Sequence, residues 1–585
     1  MRYLFKFRMT ASYNMLSFIC IWFMTARIYR YDSITKLEYT NETKRSLYTM
    51  LTYGGTHAGP EGIAIQYYNN HISYRSLMEQ VHACAAGLIQ HGVKKGDFVT
   101  IFLPNIPQSV IAVYAVNRIG AVCNLVHPLS TKEELQYAVE FTESRIVLTF
   151  EINEEHCSGL DVEVIRCKTP AYFPAGIKGL VMKTVYNHSV RHAKQTTGRS
   201  CEWSTLLDEG REWLKTASLP PDDVKHEDTA VIMYTGGTTG PSKGVMLSNT
   251  SANYLATQLL YDYADGTPHI GDGFLAVLPI FHAFGLTVCI HTPLASGMRV
   301  VLCPRFDAKE CARLIVEEKM AFLCGVPAMY ERMYPYLKGK DLSCVKHLVC
   351  GGDRVSPDLA YRYNDILGKA HGGAEFRPGY GLTEAGGACV ITGVHYSSLK
   401  EGGVGVPLAG TEICVVVPGT TDVLPNTEEG ELCMIGPAIM TCYYKNPEET
   451  AAVLRMHEDG RVWLHTGDIV SIGDGNNINF RCRYKRLVKV NGYNVYPLMI
   501  EAVMEKCPII SQSCAMGIPW KTDTRIKLYV TLKQKMDPEA AVKDIIAFAK
   551  ENLNHWSVPV SISILEAMPL TKMNKTDYKA LEKHD

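Results

Sequence analysis

Between residues 99 and 150, short apolar runs alternate with helix-forming stretches, and this alternation constrains the fold more than any other feature. Residues 99–103, 121–126 and 145–150 are rich in β-branched and apolar side chains, and their length suits buried strands. A helical stretch ending near Gly120 separates the first two. Ser130-Thr131-Lys132-Glu133 has capping-box spacing and opens a second helix, with Leu135, Ala138 and Val139 on one face. Strand–helix–strand–helix–strand order implies parallel strands, right-handed crossovers and a doubly wound α/β sheet. Leu77, Val81, Cys84 and Leu88 form a helical stripe that reads as core. Asp307-Ala308-Lys309-Glu310 starts another helix in the same way. Residues 151–228 have weaker periodicity, and no repeat of solenoid period is visible.

The chain has 585 residues, which at ~150 per domain is three to four domains' worth. Lys+Arg number 59 and Asp+Glu 60, a net charge of −1, so no global field draws the protein to nucleic acid or anionic lipid. The nineteen cysteines form no C-x-x-C pair, which removes the zinc-ribbon and thioredoxin signatures. Their scattered spacing suits reduced thiols and a cytoplasmic location. Residues 1–31 hold Arg2, Lys6, Arg8, Arg27 and Arg30 with no acid, around an apolar run at 15–24. That run is too short to span a bilayer, which needs about 20 residues. It reads as a start assigned upstream of the true initiator (Met9, Met15 and Met24 are available), ahead of an interfacial membrane anchor, a transit-type segment or a secretory signal.

The most informative stretch is residues 234–245, YTGGTTGPSKGV, after the β-rich run 229–234 and before a helix that Ser248 or Asn249 could cap. Gly236, Gly237 and Gly240 are then expected on a tight strand-to-helix loop. Glycine lets backbone amides approach phosphate oxygens, Thr235, Thr238 and Thr239 add hydroxyl donors, and Lys243 adds a point charge. A Walker A loop is excluded because Gly244 follows Lys243.

This stretch resembles the signature loop of the adenylate-forming superfamily, which holds acyl-CoA synthetases, luciferases and peptide-synthetase adenylation domains. Ser242 stands where that family has Pro, with Pro241 one place upstream. Further motifs follow in the family's order. Residues 278–285, LPIFHAFG, are similar to its aromatic-histidine motif, which implies His282 beside the acyl adenylate. Gly351-Gly352-Asp353 resembles the adenine-site segment. In residues 379–384, GYGLTE, the resemblance implies Tyr380 stacked on adenine with Gly381 beside it. It also implies Thr383 on the α-phosphate and Glu384 on Mg²⁺, an oxygen ligand suited to that hard cation. Residues 403–407, GVGVP, come next. Thr466-Gly467-Asp468 and Arg483 match the family's ribose-binding positions.

Beyond Arg483 the resemblance implies a small mobile α+β domain. Lys489 and Gly492 match a loop that approaches coenzyme A. In residues 569–579, PLTKMNKTDYK, Lys575 takes the place of the catalytic lysine of adenylation, with Asn574 where glycine is usual and Lys572 and Lys579 as nearby decoys. Arg486 occupies the hinge position, where the family has Asp or sometimes Lys. A long cation of this kind is expected to stay solvated in either domain pose. Cys442 stands where the family prefers Gly.

The expected organisation is an N-terminal extension over 1–42, a large AMP-binding body over 43–485 and a lid over 486–585. The body is expected to contain αβαβα-type subdomains and a small β-barrel-like one. The resemblance implies an ATP-dependent, AMP-forming ligase that joins a carboxylic acid to coenzyme A. Its motifs are most similar to those of medium- and long-chain fatty acyl-CoA ligases. Aryl or bile-acid ligases and enzymes that load a carrier protein share the motifs. A non-catalytic binder is disfavoured by the retained Lys243, Glu384, Asp468, Arg483 and Lys575. The expected partners are small molecules, with no nucleic acid and with membrane contact confined to the N-terminal segment.

Overall fold

The computed structural model describes residues 44–584, apart from 197, 236–241, 265–268, 370–372, 393–402, 492, 521–522 and 571–575. The expected alternation holds. Phe98–Phe102, Val122–Leu125 and Ile146–Thr149 are strands, paired in parallel and separated by the helices Pro107–Ile119 and Lys132–Thr142. Gly120 ends the first helix with φ 80°, a left-handed position that glycine adopts without strain. The capping box lies one residue later than its predicted position. Thr131 accepts from the Glu134 amide, and Glu134 reaches back to the Thr131 amide at 2.8 Å. Two consecutive acids, Glu133 and Glu134, make the register ambiguous in sequence. Asp307 caps its helix as expected, accepting from the Glu310 amide at 2.8 Å. Leu77, Val81, Cys84 and Leu88 are fully buried.

Two large sheets form the body. The first has eight strands. Six run parallel: Thr229–Thr235, Val122–Leu125, Phe98–Phe102, Ile146–Thr149, Glu163–Arg166 and Ser200–Glu202. Lys243–Ser248 and Cys442–Tyr443 add antiparallel strands at one edge. The glycine-rich stretch therefore joins two antiparallel strands, with Thr235 opposite Lys243, rather than a strand and a helix. The second strand was hidden because Lys243 and Gly244, both poor strand formers, open it. Its Val245 and Leu247 are nonetheless wholly buried. Gly244 sits opposite Tyr234, where a Cβ would come 2.6 Å from Ile232. The helix Asn249–Ala264 follows, with Ser248 Oγ accepting from the Ser251 amide at 3.2 Å.

The second sheet has fifteen strands. Its parallel portion runs through Ile63–Tyr67, Arg299–Leu302, Gly273–Ala276, Met320–Gly325, His347–Cys350 and Phe376–Tyr380. It continues without a break into an antiparallel layer that includes Gly403–Pro407, Ile478–Arg483, Val462–Ile472, Gly430–Ile435 and Glu412–Val416. A smaller C-terminal domain packs the strands Ile510–Trp520, Asp523–Leu532 and Ser561–Ile564 with the helices Pro497–Met504 and Pro538–Asn552. It has its own core, formed by Val490, Ile500, Met504, Ile526, Leu528 and Ile545. No helix among the described residues is long and apolar enough to cross a membrane. Residues 1–42, read as an extension, lie outside the described residues.

One buried side chain ties the first sheet to the strand that leads into the glycine loop. Asn124 donates to Thr100 Oγ1 at 2.9 Å and Thr142 Oγ1 at 3.0 Å, and accepts from Tyr234 OH at 2.8 Å. Asn124→Leu takes this partner from the Thr100 and Tyr234 hydroxyls, while Thr142 keeps Ala138 O and Ser144 Oγ, so the unfolding free energy is expected to fall by about 2–4 kcal/mol in urea denaturation.

Candidate active site

Open α/β sheets place their sites beyond the carboxyl ends of their strands. Here the motifs lie at those ends in both sheets. Thr235 closes one strand and Lys243 opens the next. His347–Cys350 runs into Gly351, whose amide donates to Gly325 O at 3.0 Å. Tyr380 ends the strand beside it. Gly351 is held so close to that strand that a Cβ would lie 3.2 Å from Gly379 O. Gly352 has φ 80°, and Asp353 is exposed and bonds the Arg354 amide.

The loop after Tyr380 is compact because it lacks side chains. A Cβ on Gly381 would come 2.1 Å from Gly387 O, and one on Gly387 would come 2.6 Å from the Phe284 amide nitrogen. Gly386 and Gly387 both have positive φ. Between them and Leu382, Thr383–Ala385 forms one 3₁₀ turn, with Thr383 and Glu384 half-buried. The same loop packs on the aromatic-histidine segment, where Thr287 Oγ1 lies 2.8 Å from Gly386 O. His282 is half-buried there, its ring centroid 4.7 Å from Phe281. His127, which sequence reasoning missed, lies tilted against Phe281 with ring centroids 4.3 Å apart and meets His282 edge-on at 6.4 Å. Phe284–His291 winds as a π-helix, a departure from α geometry that recurs at functional sites.

Asp468 is the electrostatic centre. It lies in the strand Val462–Ile472 directly opposite Arg483 and is wholly buried. Its Oδ2 accepts from Tyr380 OH at 2.5 Å. Arg483 Nε stands 2.9 Å from Oδ1, a charge contact without the alignment of a hydrogen bond, so among the described residues Oδ1 has no aligned donor. A buried acceptor in that condition is unfavourable until a ligand hydroxyl fills it. Burial pushes the Asp468 carboxyl up to about 6, against the pull of Arg483 and Tyr380. Burial also pushes the Tyr380 phenol well above its usual range, which keeps it a donor. Behind Asp468, Glu431 accepts from the Gly467 amide at 3.0 Å and the Gly419 amide at 3.2 Å, and its Oε2 lies 3.3 Å from His465 Nδ1. The contacts to Gly467 and His465 fix this part of the strand Val462–Ile472.

A second group adjoins the first, close enough that the Glu384 charge raises the Asp468 carboxyl and acts on Arg483. Glu384 Oε1 accepts from Tyr443 OH at 2.7 Å. Lys243 Nζ lies 4.8 Å from the centroid of the same ring and pairs with Glu449. Sequence reasoning missed Tyr443 and Glu449, although Tyr443 immediately follows the unusual Cys442. Glu384 Oε2 carries no hydrogen bond among the described residues, so a hard divalent cation would find a carboxylate oxygen there, with Lys243 over the Tyr443 ring. The Asp468, Tyr380 and Arg483 donor set fits a ribose and purine equally well.

Gly236, Gly237, Thr238, Thr239, Gly240, Gly492 and Lys575 lie outside the described residues. Leu570 bridges Thr576, and Asp577 N donates to Pro569 O at 2.8 Å. Lys489 is exposed in the centre of the strand Val488–Val490. Arg486 is not solvated as the sequence suggested. Its Nη1 donates to Tyr578 OH at 2.6 Å and its Nη2 to Glu501 Oε1 at 2.9 Å, while its guanidinium stacks 4.0 Å from the Tyr578 ring centroid. The acid and the aromatic face capture a cation that the sequence alone leaves in water. Across the two domains, Tyr496 OH donates to Glu429 Oε2 at 2.6 Å, and Arg354 lies 3.7 Å from Glu505.

Residues 56–444 match the family described as AMP-binding enzyme, and residues 499–575 match the AMP-binding enzyme C-terminal domain. A long-chain-fatty-acid–CoA ligase from Bacillus subtilis is 28% identical over 531 residues, covering 88% of this chain and 90% of that protein. A feruloyl-CoA synthase from an Amycolatopsis species is 28% identical over 524 residues, covering 88% and 94%. Among solved structures, ATP-bound MatB from Rhodopseudomonas palustris superposes with TM-score 0.75 at 23% identity, covering 92% of this chain and 98% of its own.

The Asp468 carboxyl is raised in the folded state, so the folded protein binds the proton more tightly than the unfolded chain does. Its ionisation therefore costs stability as pH rises from about 4 to about 6, reaching about 3 kcal/mol above that window. Asp468→Asn removes this cost. The ligand-free variant is expected to gain stability relative to wild type between pH 4 and pH 7 in denaturant titrations, and to lose the rise in melting temperature that ATP gives the wild type.

Proposed function

The chain belongs to the AMP-binding enzyme family, and from that premise we propose that this AMP-forming acid–thiol ligase activates a hydrophobic, fatty carboxylic acid and transfers it to coenzyme A. The observation that carries the nucleotide half of the reading is the buried Asp468 Oδ1 left without an aligned donor beside Tyr380 and Arg483. A ribose hydroxyl supplies the donor it lacks. The acid half is supported by the apolar run Ala283, Phe284, Leu286 and Val288 next to His282, and by relatives named for long-chain fatty acids. The feruloyl relative keeps aryl acids as the second reading.

In this reading the substrate carboxylate attacks the α-phosphorus of ATP, and the bond to pyrophosphate breaks. The glycine loop 236–240 and the hydroxyls of Thr235, Thr238 and Thr239 donate to the phosphates. Lys243 exchanges Glu449 for a phosphate oxygen. Thr383 donates to the α-phosphate, and Lys575 delivers a cation to the carboxylate and α-phosphate oxygens where charge develops. Bound Mg²⁺, held by Glu384, would neutralise phosphate charge. Gly351, Gly352, Asp353, Tyr380 and Gly381 hold the adenine, and His282 adjoins the acyl group.

The coenzyme A thiol then attacks the acyl carbonyl, loses its proton, and AMP departs. Two active poses from one chain require the small domain to turn. We place the division at 485/486, with 43–485 as the body and 486–585 as the lid. Lys489 and Gly492 then approach the coenzyme A arm. Arg486 bonds Glu501, Ala515 and Tyr578, all within the lid, so it turns with the lid and the pivot lies on its N-terminal side. We place the enzyme in the cytoplasm, a reading supported by eighteen unpaired cysteines among the described residues.

Lys575→Ala is expected to slow carboxylate-dependent pyrophosphate release at least about 100-fold. Thioester formation from supplied acyl-AMP should stay within a few-fold of wild type. Equal loss of both half-reactions would contradict the assignment. A panel of fatty, aryl and steroidal acids with coenzyme A decides the substrate: a higher kcat/KM for a cinnamate-type acid than for any fatty acid would overturn the fatty reading.

A further inference from the structure

The helix Gly176–Ser189 presents its apolar face to water. Ile177 is 83% exposed, Leu180 65%, Val181 55% and Val185 65%. At about 100° per residue these four, with Thr184 and His188 among them, cover an arc of about 140°. The opposite face fastens the helix to the body. Gly179 is buried so tightly that a Cβ would lie 1.6 Å from Pro174 O. Met182 and Tyr186 pack on the main core, and Tyr186 OH donates toward Glu151 Oε2 at 3.2 Å. Both faces are therefore apolar, and the outer one has no partner within the described chain.

The charges within this stretch of chain have one sign. Residues 174–194 contain Lys178, Lys183, Arg191 and Lys194 and no acid. On the helix, Lys178 and Lys183 fall at the two margins of the apolar arc, where long stems can lie along an apolar surface and lift the ammonium groups to its polar boundary. Lys178 is exposed and donates to Asn69 at 2.8 Å, and Lys194 pairs with Glu155. A self-complementary dimer is a poor occupant. It would set these cations against their own copies, and four aliphatic side chains fall far short of the about 800 Å² per partner that stable pairs bury. An anionic lipid surface satisfies both features at once, because acyl chains receive the aliphatic side chains and headgroups receive the lysines.

We propose that the helix Gly176–Ser189 is an interfacial membrane-docking element for anionic lipid surfaces. This assignment is separate from the basic N-terminal segment and does not depend on the acid being fatty. Docking by a rigid, folded helix would hold the catalytic body at a bilayer without a spanning segment.

The test uses the purified full-length protein, sedimented with vesicles of phosphatidylcholine alone or with about a third phosphatidylserine. Wild type is expected to pellet with the anionic vesicles and to be released by high salt. Leu180→Asp/Val185→Asp should cut the partition coefficient at least about tenfold, and Lys178→Gln/Lys183→Gln about fivefold to thirtyfold. Turnover of a short, water-soluble acid should be unchanged in both, which shows that the variants fold. Three outcomes overturn the proposal: wild type that stays in the supernatant, variants that pellet like wild type (which places binding elsewhere in the chain), or variants that lose self-association on a sizing column while vesicle binding is unaffected.

Discussion

The ionised carboxyl of Asp468 has been taken wholly out of water, and much of the candidate site is arranged around that fact. A buried carboxylate needs compensation. The fold supplies Arg483 from the opposite strand and the Tyr380 phenol from the end of the parallel sheet, and then stops short of satisfying Oδ1. Glu431 braces the Asp468 strand from behind through the Gly467 amide. The antiparallel layer is continuous with the parallel sheet, so the strand bearing Asp468 and the strand ending in Tyr380 are held in one hydrogen-bonded framework. A rigid, incompletely satisfied carboxylate of this kind is preorganised for a ligand with vicinal hydroxyls.

The second group works by a different balance. Tyr443 receives charge from both sides, donating to Glu384 and offering its ring to Lys243. Glu449 pairs with Lys243 and is half exposed, so releasing the lysine to another anion costs little, because exposed ion pairs contribute about 0–1 kcal/mol. In the proposed function that anion is a nucleotide phosphate.

Much of this was legible in the sequence, for physical reasons that can be named. The parallel strands around 99–150 are buried on both faces and read as mostly apolar, β-branched runs, with Thr100 and Asn124 among the polar exceptions. Glycines at 381 and 387 sit where any Cβ would strike backbone, and Gly386 has φ 71°, so the motif around Tyr380 is fixed by sterics. What stayed hidden depended on tertiary pairing. The strand Lys243–Ser248 opens on two poor strand formers and exists because Thr229–Thr235 and Cys442–Tyr443 flank it. Tyr443 and Glu449 lie about two hundred residues from Lys243, and no local pattern joins them. Arg486 reads as a solvated cation until Glu501 and Tyr578 are folded against it.

An adenylate-forming ligase makes a mixed anhydride between a carboxylic acid and AMP before any thiol is involved. Isotope exchange between pyrophosphate and ATP, measured with the full-length protein without coenzyme A, tests it most directly. The account predicts exchange that needs added carboxylic acid and Mg²⁺ and that Asp468→Asn abolishes. Acid-independent exchange, or exchange that appears only once coenzyme A is supplied, would contradict it.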